Sequence, residues 1–143
     1  MKNIYKYKIV KDIGLVIQFH KNDLTIEGAK RLKLEIIHDT DYEPNFSFLI
    51  DLRKANYNFT EEELENYGNF VSEKVKLEGL KRVAILTETP EQVVKTTIYT
   101  LNKRVDPTQY KIFSTLQAAI CWLQINPKYL QHILSEINKL EDD

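Results

Sequence analysis

Three short apolar runs, each followed by the start pattern of a helix, constrain this chain more than any other feature. Phe46 to Leu52 (Phe-Ser-Phe-Leu-Ile-Asp-Leu), Val83-Ala-Ile-Leu86 and Tyr110-Lys-Ile-Phe113 all read as strands. The first has a centre suited to burial on both faces, as strands of parallel sheets have. They precede Thr60-x-x-Glu63, Thr89-x-x-Gln92 and Ser114-x-x-Gln117. Each fits the capping box, in which two side chains reciprocally satisfy backbone N–H groups that a helix start leaves without partners. Pro90 takes the first position of its helix, where a missing N–H costs nothing. Stripes at helical spacing follow: Leu64, Tyr67, Val71 and Val75; Val93, Val94, Thr97, Ile98 and Leu101; Leu116, Ala119, Ile120 and Leu123. Strand–helix units repeated three times imply parallel strands joined by crossover helices.

Upstream, residues 4–10 and 15–19 are β-rich runs flanking Asp12-Ile13-Gly14, which reads as an antiparallel β-hairpin. A helix from about Ile26 to His38, capped by Thr25, places Ala29, Leu32, Ile36 and the aliphatic stem of Lys33 on one stripe. A last helix from Pro127 to about Leu140, capped by Asn126, aligns Leu130, Ile133, Leu134 and Ile137. It covers the sheet, extends the core or meets a partner. The order is therefore ββαβαβαβα plus an extra C-terminal helix, an α/β class with a mixed sheet. Residues 1–125 read as one domain, and residues 126–143 as its C-terminal helical extension. A chain of 143 residues suffices for one core.

Composition argues against several function classes. A formal charge of −1, with Lys and Arg spread along the chain, leaves no basic stripe for nucleic acid. No apolar run approaches the roughly 20 residues of a membrane span, and the first residues lack the apolar core of a signal peptide. Cytoplasm is the expected location. Cys121 is the single cysteine; set between Ile120 and Trp122, it is expected to be a buried, inert thiol. His20, His38 and His132 lack ligand spacing, and no Gly-rich phosphate loop occurs, so neither metal nor cofactor is expected. The closing Glu141-Asp142-Asp143 is expected to fray.

Three stretches carry a family resemblance: Phe48-Leu-Ile-Asp-Leu-Arg53, Val83-Ala-Ile-Leu-Thr-Glu-Thr-Pro-Glu-Gln-Val-Val94, and Ile112-Phe-Ser-Thr-Leu-Gln-Ala-Ala-Ile-Cys-Trp-Leu123. Over about residues 5–123 the chain resembles the STAS domain superfamily, in particular its SpoIIAA-like, STAS/Sec14-type small bacterial proteins. The resemblance implies a STAS-like mixed sheet. Anti-sigma antagonists of that superfamily carry an Asp-Ser-Ser-Gly-type motif after the third strand, where a kinase phosphorylates the Ser. Here the region reads Asp51-Leu-Arg-Lys-Ala-Asn-Tyr-Asn-Phe-Thr-Glu-Glu-Glu63. A phosphate on Thr60 would gain from the helix N-terminus and be repelled by Glu61, Glu62 and Glu63.

Open α/β sheets bind ligands at the carboxyl ends of their strands. The candidates there are Asp51, Arg53, Asn56, Thr60 and Thr87, with Thr89, Ser114 and Thr115 beyond. They form either a polar rim for an anionic or amphipathic molecule, with Arg53 as the attraction, or a set of helix caps. Tyr57 and Phe59 form either a pocket lip or a cap on the core. Catalysis by Asp51 would need a second group to share the proton, and none is marked. The chain is therefore expected to be a noncatalytic regulatory or binding module whose partner is a protein or a small ligand. An Arg53→Ala change is expected to weaken anion binding and leave the fold intact. The alternatives are a phosphorylation-controlled partner switch using Thr60 as acceptor, and a carrier of lipid or another amphipathic small molecule. A homodimer joined by the C-terminal helix or a sheet edge is a further expectation.

Overall fold

The computed structural model describes residues 2–74, 82–101 and 109–142. Strand β1 (Ile4–Val10) and strand β2 (Leu15–Leu24) form the expected hairpin, antiparallel from Ile4 opposite Lys21 to Val10 opposite Leu15. Gly14 closes its turn at φ 61°, a left-handed conformation that glycine adopts without strain. Helix α1 (Ile26–Ile37) starts on Thr25, whose hydroxyl accepts the Gly28 N–H at 3.1 Å. Then come β3 (Ser47–Tyr57), α2 (Glu61–Lys74), β4 (Arg82–Leu86), α3 (Pro90–Leu101), β5 (Gln109–Phe113), α4 (Leu116–Trp122) and α5 (Leu130–Asp142).

The sheet runs β1-β2-β3-β4-β5, with every pair after the first parallel. An order that advances one strand at a time in one direction, with right-handed crossovers, puts all three connecting helices on one face. Side-chain parity agrees. Val16, Phe48, Val83 and Ile85 pack with Leu32 and Ile36 of α1. Leu15, Ile17, Phe19, Leu49 and Leu86 point the other way, into a core closed by α4 and α5. Ile133 and Ile137 of α5 are buried in that core, so the last helix is an integral layer.

Several sequence expectations need correction. Strand β3 does not end at Leu52; it continues to Tyr57, paired with β2 until Leu24 lies opposite Tyr57. A bulge between Phe19 and Lys21 sets one extra β3 residue against β2. Leu52, Ala55 and Tyr57 thereby share a face despite their mixed parity. That break in alternation made the segment look like a loop. The α3 stripe is also rotated: Val93 and Val94 are 41% and 58% exposed, while Gln92 and Thr96 are buried. The Gln92 amide fixes this rotation by donating to the Leu52 and Ala55 carbonyl oxygens at 2.8 and 3.0 Å. Cys121 is exposed, on the outer side of α4. Glu141 is not frayed: its carboxylate accepts from Lys21 at 3.0 Å and Lys54 at 2.6 Å, pinning the end of α5 to β2 and β3. Those two ammonium groups hold its pKa below the usual value. Val75 of the α2 stripe and the Leu101 side chain lie outside the described residues.

Candidate functional site

At the carboxyl edge, the structure commits most of the candidate residues to partners within the fold. Asp51 is buried, and Arg53 holds it with three bonds: its backbone N–H at 3.1 Å and Nε at 3.0 Å to Oδ1, and Nη2 at 2.9 Å to Oδ2. Asp51 raises the Arg53 pKa in return. An arginine engaged bidentately has its geometry set by that carboxylate, so Arg53 serves the fold more than a visiting anion. Thr60 and Glu63 exchange both bonds of a capping box at 3.0 and 3.1 Å. Thr89 and Gln92 do the same at 3.1 and 3.2 Å. The third box does not form as written: Thr115 caps α4 by accepting the Ala118 N–H at 3.2 Å, and Ser114 is exposed beside it. Thr87 is buried and its N–H donates to the Phe113 carbonyl oxygen, whereas Asn56 is exposed. The caps at Thr60, Thr89 and Thr115 explain those residue types without a ligand.

Tyr57 and Phe59 differ from the rest. They stack at 5.2 Å and line a cleft between the sheet and helices α1, α2 and α3. The Tyr57 hydroxyl meets the Thr96 hydroxyl at 2.6 Å, and burial pushes the phenol up to about 12. Ala29 of α1, Leu64 and Val71 of α2, and Phe48, Ile50 and Ile85 of the sheet supply apolar wall. The cleft has a volume of about 110 Å³, room for a few waters at the roughly 30 Å³ each occupies in the liquid. It reaches Leu24 and Tyr57, the carboxyl ends of β2 and β3, so the edge expected to bind and the cleft meet there.

A polar cluster lies against this apolar wall. Lys33, on the inner stripe of α1, donates from Nζ to Gln18 Oε1 at 2.7 Å and sits 4.2 Å from the centre of the Phe48 ring. Gln18 Nε2 lies 3.3 Å from His20 Nε2. All three residues line the cleft, at 7%, 3% and 3% exposure for Lys33, Gln18 and His20. Donor logic fixes the protons. An ammonium can only donate, so Gln18 presents its oxygen to Lys33 and its NH₂ to the imidazole. His20 Nε2 then accepts, and the ring proton stands on Nδ1. That Nδ1 is buried without a hydrogen-bond partner among the described residues. Burial, helped by the charge of Lys33, pushes the imidazole down to about 3, so it stays neutral at ordinary pH.

Sequence reasoning missed Gln18, His20, Lys33, Lys95 and Thr96 as site residues. A signal existed for the first three. Gln18 and His20 occupy the alternate positions of a strand whose other positions are Leu15, Ile17 and Phe19, and Lys33 falls on the buried stripe of α1. Polar groups facing a core from both sides of a layer ask to be explained. Lys95 and Thr96 carried no such signal, because the stripe assigned to α3 was rotated.

No family model matches the sequence, and no curated protein does. Among solved structures, the chain is similar to an uncharacterized protein of the DUF3478 family with a SpoIIAA-like fold from Shewanella loihica PV-4, at a TM-score of 0.57. The chain has a SpoIIAA-like fold. Identity is 17%, and the match covers 86% of this chain and 96% of that one. At that identity the likeness concerns the fold, and it agrees with the architecture implied by the sequence resemblance. Among the described residues of this SpoIIAA-like chain, no helix is long and apolar enough to cross a membrane.

Proposed function

We propose that this protein is a noncatalytic binding module that takes up a small amphipathic molecule in the cleft beneath α1, α2 and α3. The observation that carries the reading is the cleft itself, an apolar space of about 110 Å³ with a buried Lys33–Gln18–His20 cluster on its wall. Apolar concavities with a few convergent polar groups are the usual form of small-molecule sites. An absence of chemistry fits the same groups. A His20 imidazole that protonates only near pH 3 is a poor general acid or base at neutrality. The carboxyl-edge residues support the binding role indirectly: Asp51 with Arg53, and the caps Thr60 and Thr89, hold the strand end and helix starts that frame the cleft.

The test uses N-phenyl-1-naphthylamine, a neutral apolar dye that fluoresces when it leaves water. The wild-type chain should bind one equivalent saturably, and Ala29→Trp, which fills the cleft from α1, should abolish the signal with an unchanged circular dichroism spectrum. No saturable binding to the wild-type chain, or equal binding by the folded variant, would overturn the proposal.

A further inference from the structure

Resting on that cleft as the binding site, we infer that its ligand is an apolar monocarboxylate or an equivalent apolar anion, whose charged end accepts from His20 Nδ1–H on the wall that carries Lys33 and whose body lies along the Tyr57–Phe59 wall. Two observations lead there. The first is the formal charge of the lining. Among the described residues that line the cleft, only Lys33 and Lys95 are charged, and both are positive. Lys95 is partly exposed, with Glu91 at 3.0 Å, and Lys33 is buried at the apolar wall, where its Nζ donates to Gln18. A cation in a low-dielectric wall strongly favours an anion brought close to it.

The second observation is the buried donor. The chain of bonds from Lys33 through Gln18 to His20 leaves the ring proton on Nδ1 without an acceptor among the described residues. A buried N–H without a partner is rare in folded proteins, because it forfeits hydration and gains nothing in exchange. A ligand oxygen would satisfy it. A carboxylate suits the position best, since it accepts at two oxygens and donates from none, and the Nδ1–H can only donate. An alcohol would offer one acceptor and bring a proton of its own, and an ammonium would bring like charge to Lys33.

Head group and chain can be separated by competition. Octanoate, 1-octanol and octylamine share one chain and differ in the head. Each is titrated against the bound naphthylamine dye at pH 7.5. The inference expects octanoate to displace the dye at least tenfold more tightly than octanol, with octylamine weakest. Lys33→Met should lower octanoate affinity about tenfold and leave octanol unchanged, and His20→Leu should lower it severalfold with the same selectivity. Equal affinities for the three heads in the wild-type chain would overturn the anion assignment and leave the cleft proposal standing. Failure of all three to displace the dye would instead overturn the cleft proposal, and with it the anion assignment. The wild-type series needs no folded variant, so the outcome holds even where Lys33→Met does not fold.

Discussion

The two faces of one sheet are built to different ends, and a single strand divides them. On β2, Leu15, Ile17 and Phe19 enter a core sealed by Leu116, Ala119 and Ile120 of α4 and Ile133 and Ile137 of α5. One residue along in each case, Val16, Gln18 and His20 face α1, and only the first of them is apolar. The closed face therefore gains its stability from close packing, where each fully buried aliphatic side chain contributes about 1.5–3 kcal/mol. The open face gives up part of that gain, keeping a cleft and a buried polar cluster. A sheet with helices on both sides need not have two cores of the same kind. Here one holds the molecule together, and the other holds space.

Truncation is the strongest way to test this division. Ile133→Ala on the closed face should cost about 2–5 kcal/mol, the range for a well-packed core aliphatic. Ile50→Ala, whose half-buried side chain lines the cleft, should cost less than half as much in the same urea titration, because neighbours there are already missing. Equal costs would break the comparison.

Next in size is the ion pair at the end of β3. Arg53→Ala leaves the Asp51 carboxylate, which is 3% exposed, without its guanidinium. The Arg53 side chain keeps 30% exposure, which places the loss near the lower end for a broken buried pair, about 3 kcal/mol. Octanoate affinity of the folded fraction should not change. A variant of full stability with weakened binding would restore Arg53 to the role the sequence suggested.

Acidity addresses His20 alone if the window is chosen well. Unfolded, the ring takes a proton near 6.5; folded, it resists until about 3. Between those values the unfolded chain binds more protons, so stability rises with pH and falls on acidification. The loss from this ring is about 1.4 kcal/mol for each pH unit well inside the window. Asp39 and Glu141 have folded pKa values held below ordinary carboxylate values, so their contributions are lost only at lower pH. Urea unfolding at pH 6.5 and pH 5 should therefore show the slope in the wild-type chain and a flatter one in His20→Leu. Identical slopes would mean that His20 does not stay neutral in the folded state.

The smallest effect belongs to α3. Val94→Lys, at an exposed position, should change stability by less than about 0.5 kcal/mol. A loss of several times that would show that Val94 is covered, as its place in the apolar stripe first suggested.

How much could be read in advance follows the same division. The closed face was legible because Leu116, Ala119, Ile120 and Leu123, and then Ile133 and Ile137, repeat at helical spacing on elements with clear starts. The hairpin and the crossover order were legible from turn residues and capping boxes. The open face was not, because its defining residues break the patterns used to find a core. Gln18 and His20 look like ordinary polar positions until α1 is known to cover them. Lys33 was read for its stem, while its ammonium turned out to be buried too. On β3 the bulge resets the alternation, hiding a strand inside an apparent loop. On α3 a single glutamine amide outweighs two valines, since Leu52 and Ala55 carbonyl oxygens need donors more than Val93 and Val94 need cover.

The most direct test of the account is an amide and side-chain NMR titration of the isotope-labelled chain with octanoate. The account predicts shifts confined to the open face, centred on Gln18, His20, Lys33 and Tyr57, with the His20 Nδ1 proton becoming protected from exchange. Ile17, Ile133 and the single tryptophan, Trp122, pack on the closed face and should stay unmoved. Shifts centred on the closed face or on the Thr60 and Thr89 caps, with His20 unchanged, would contradict it.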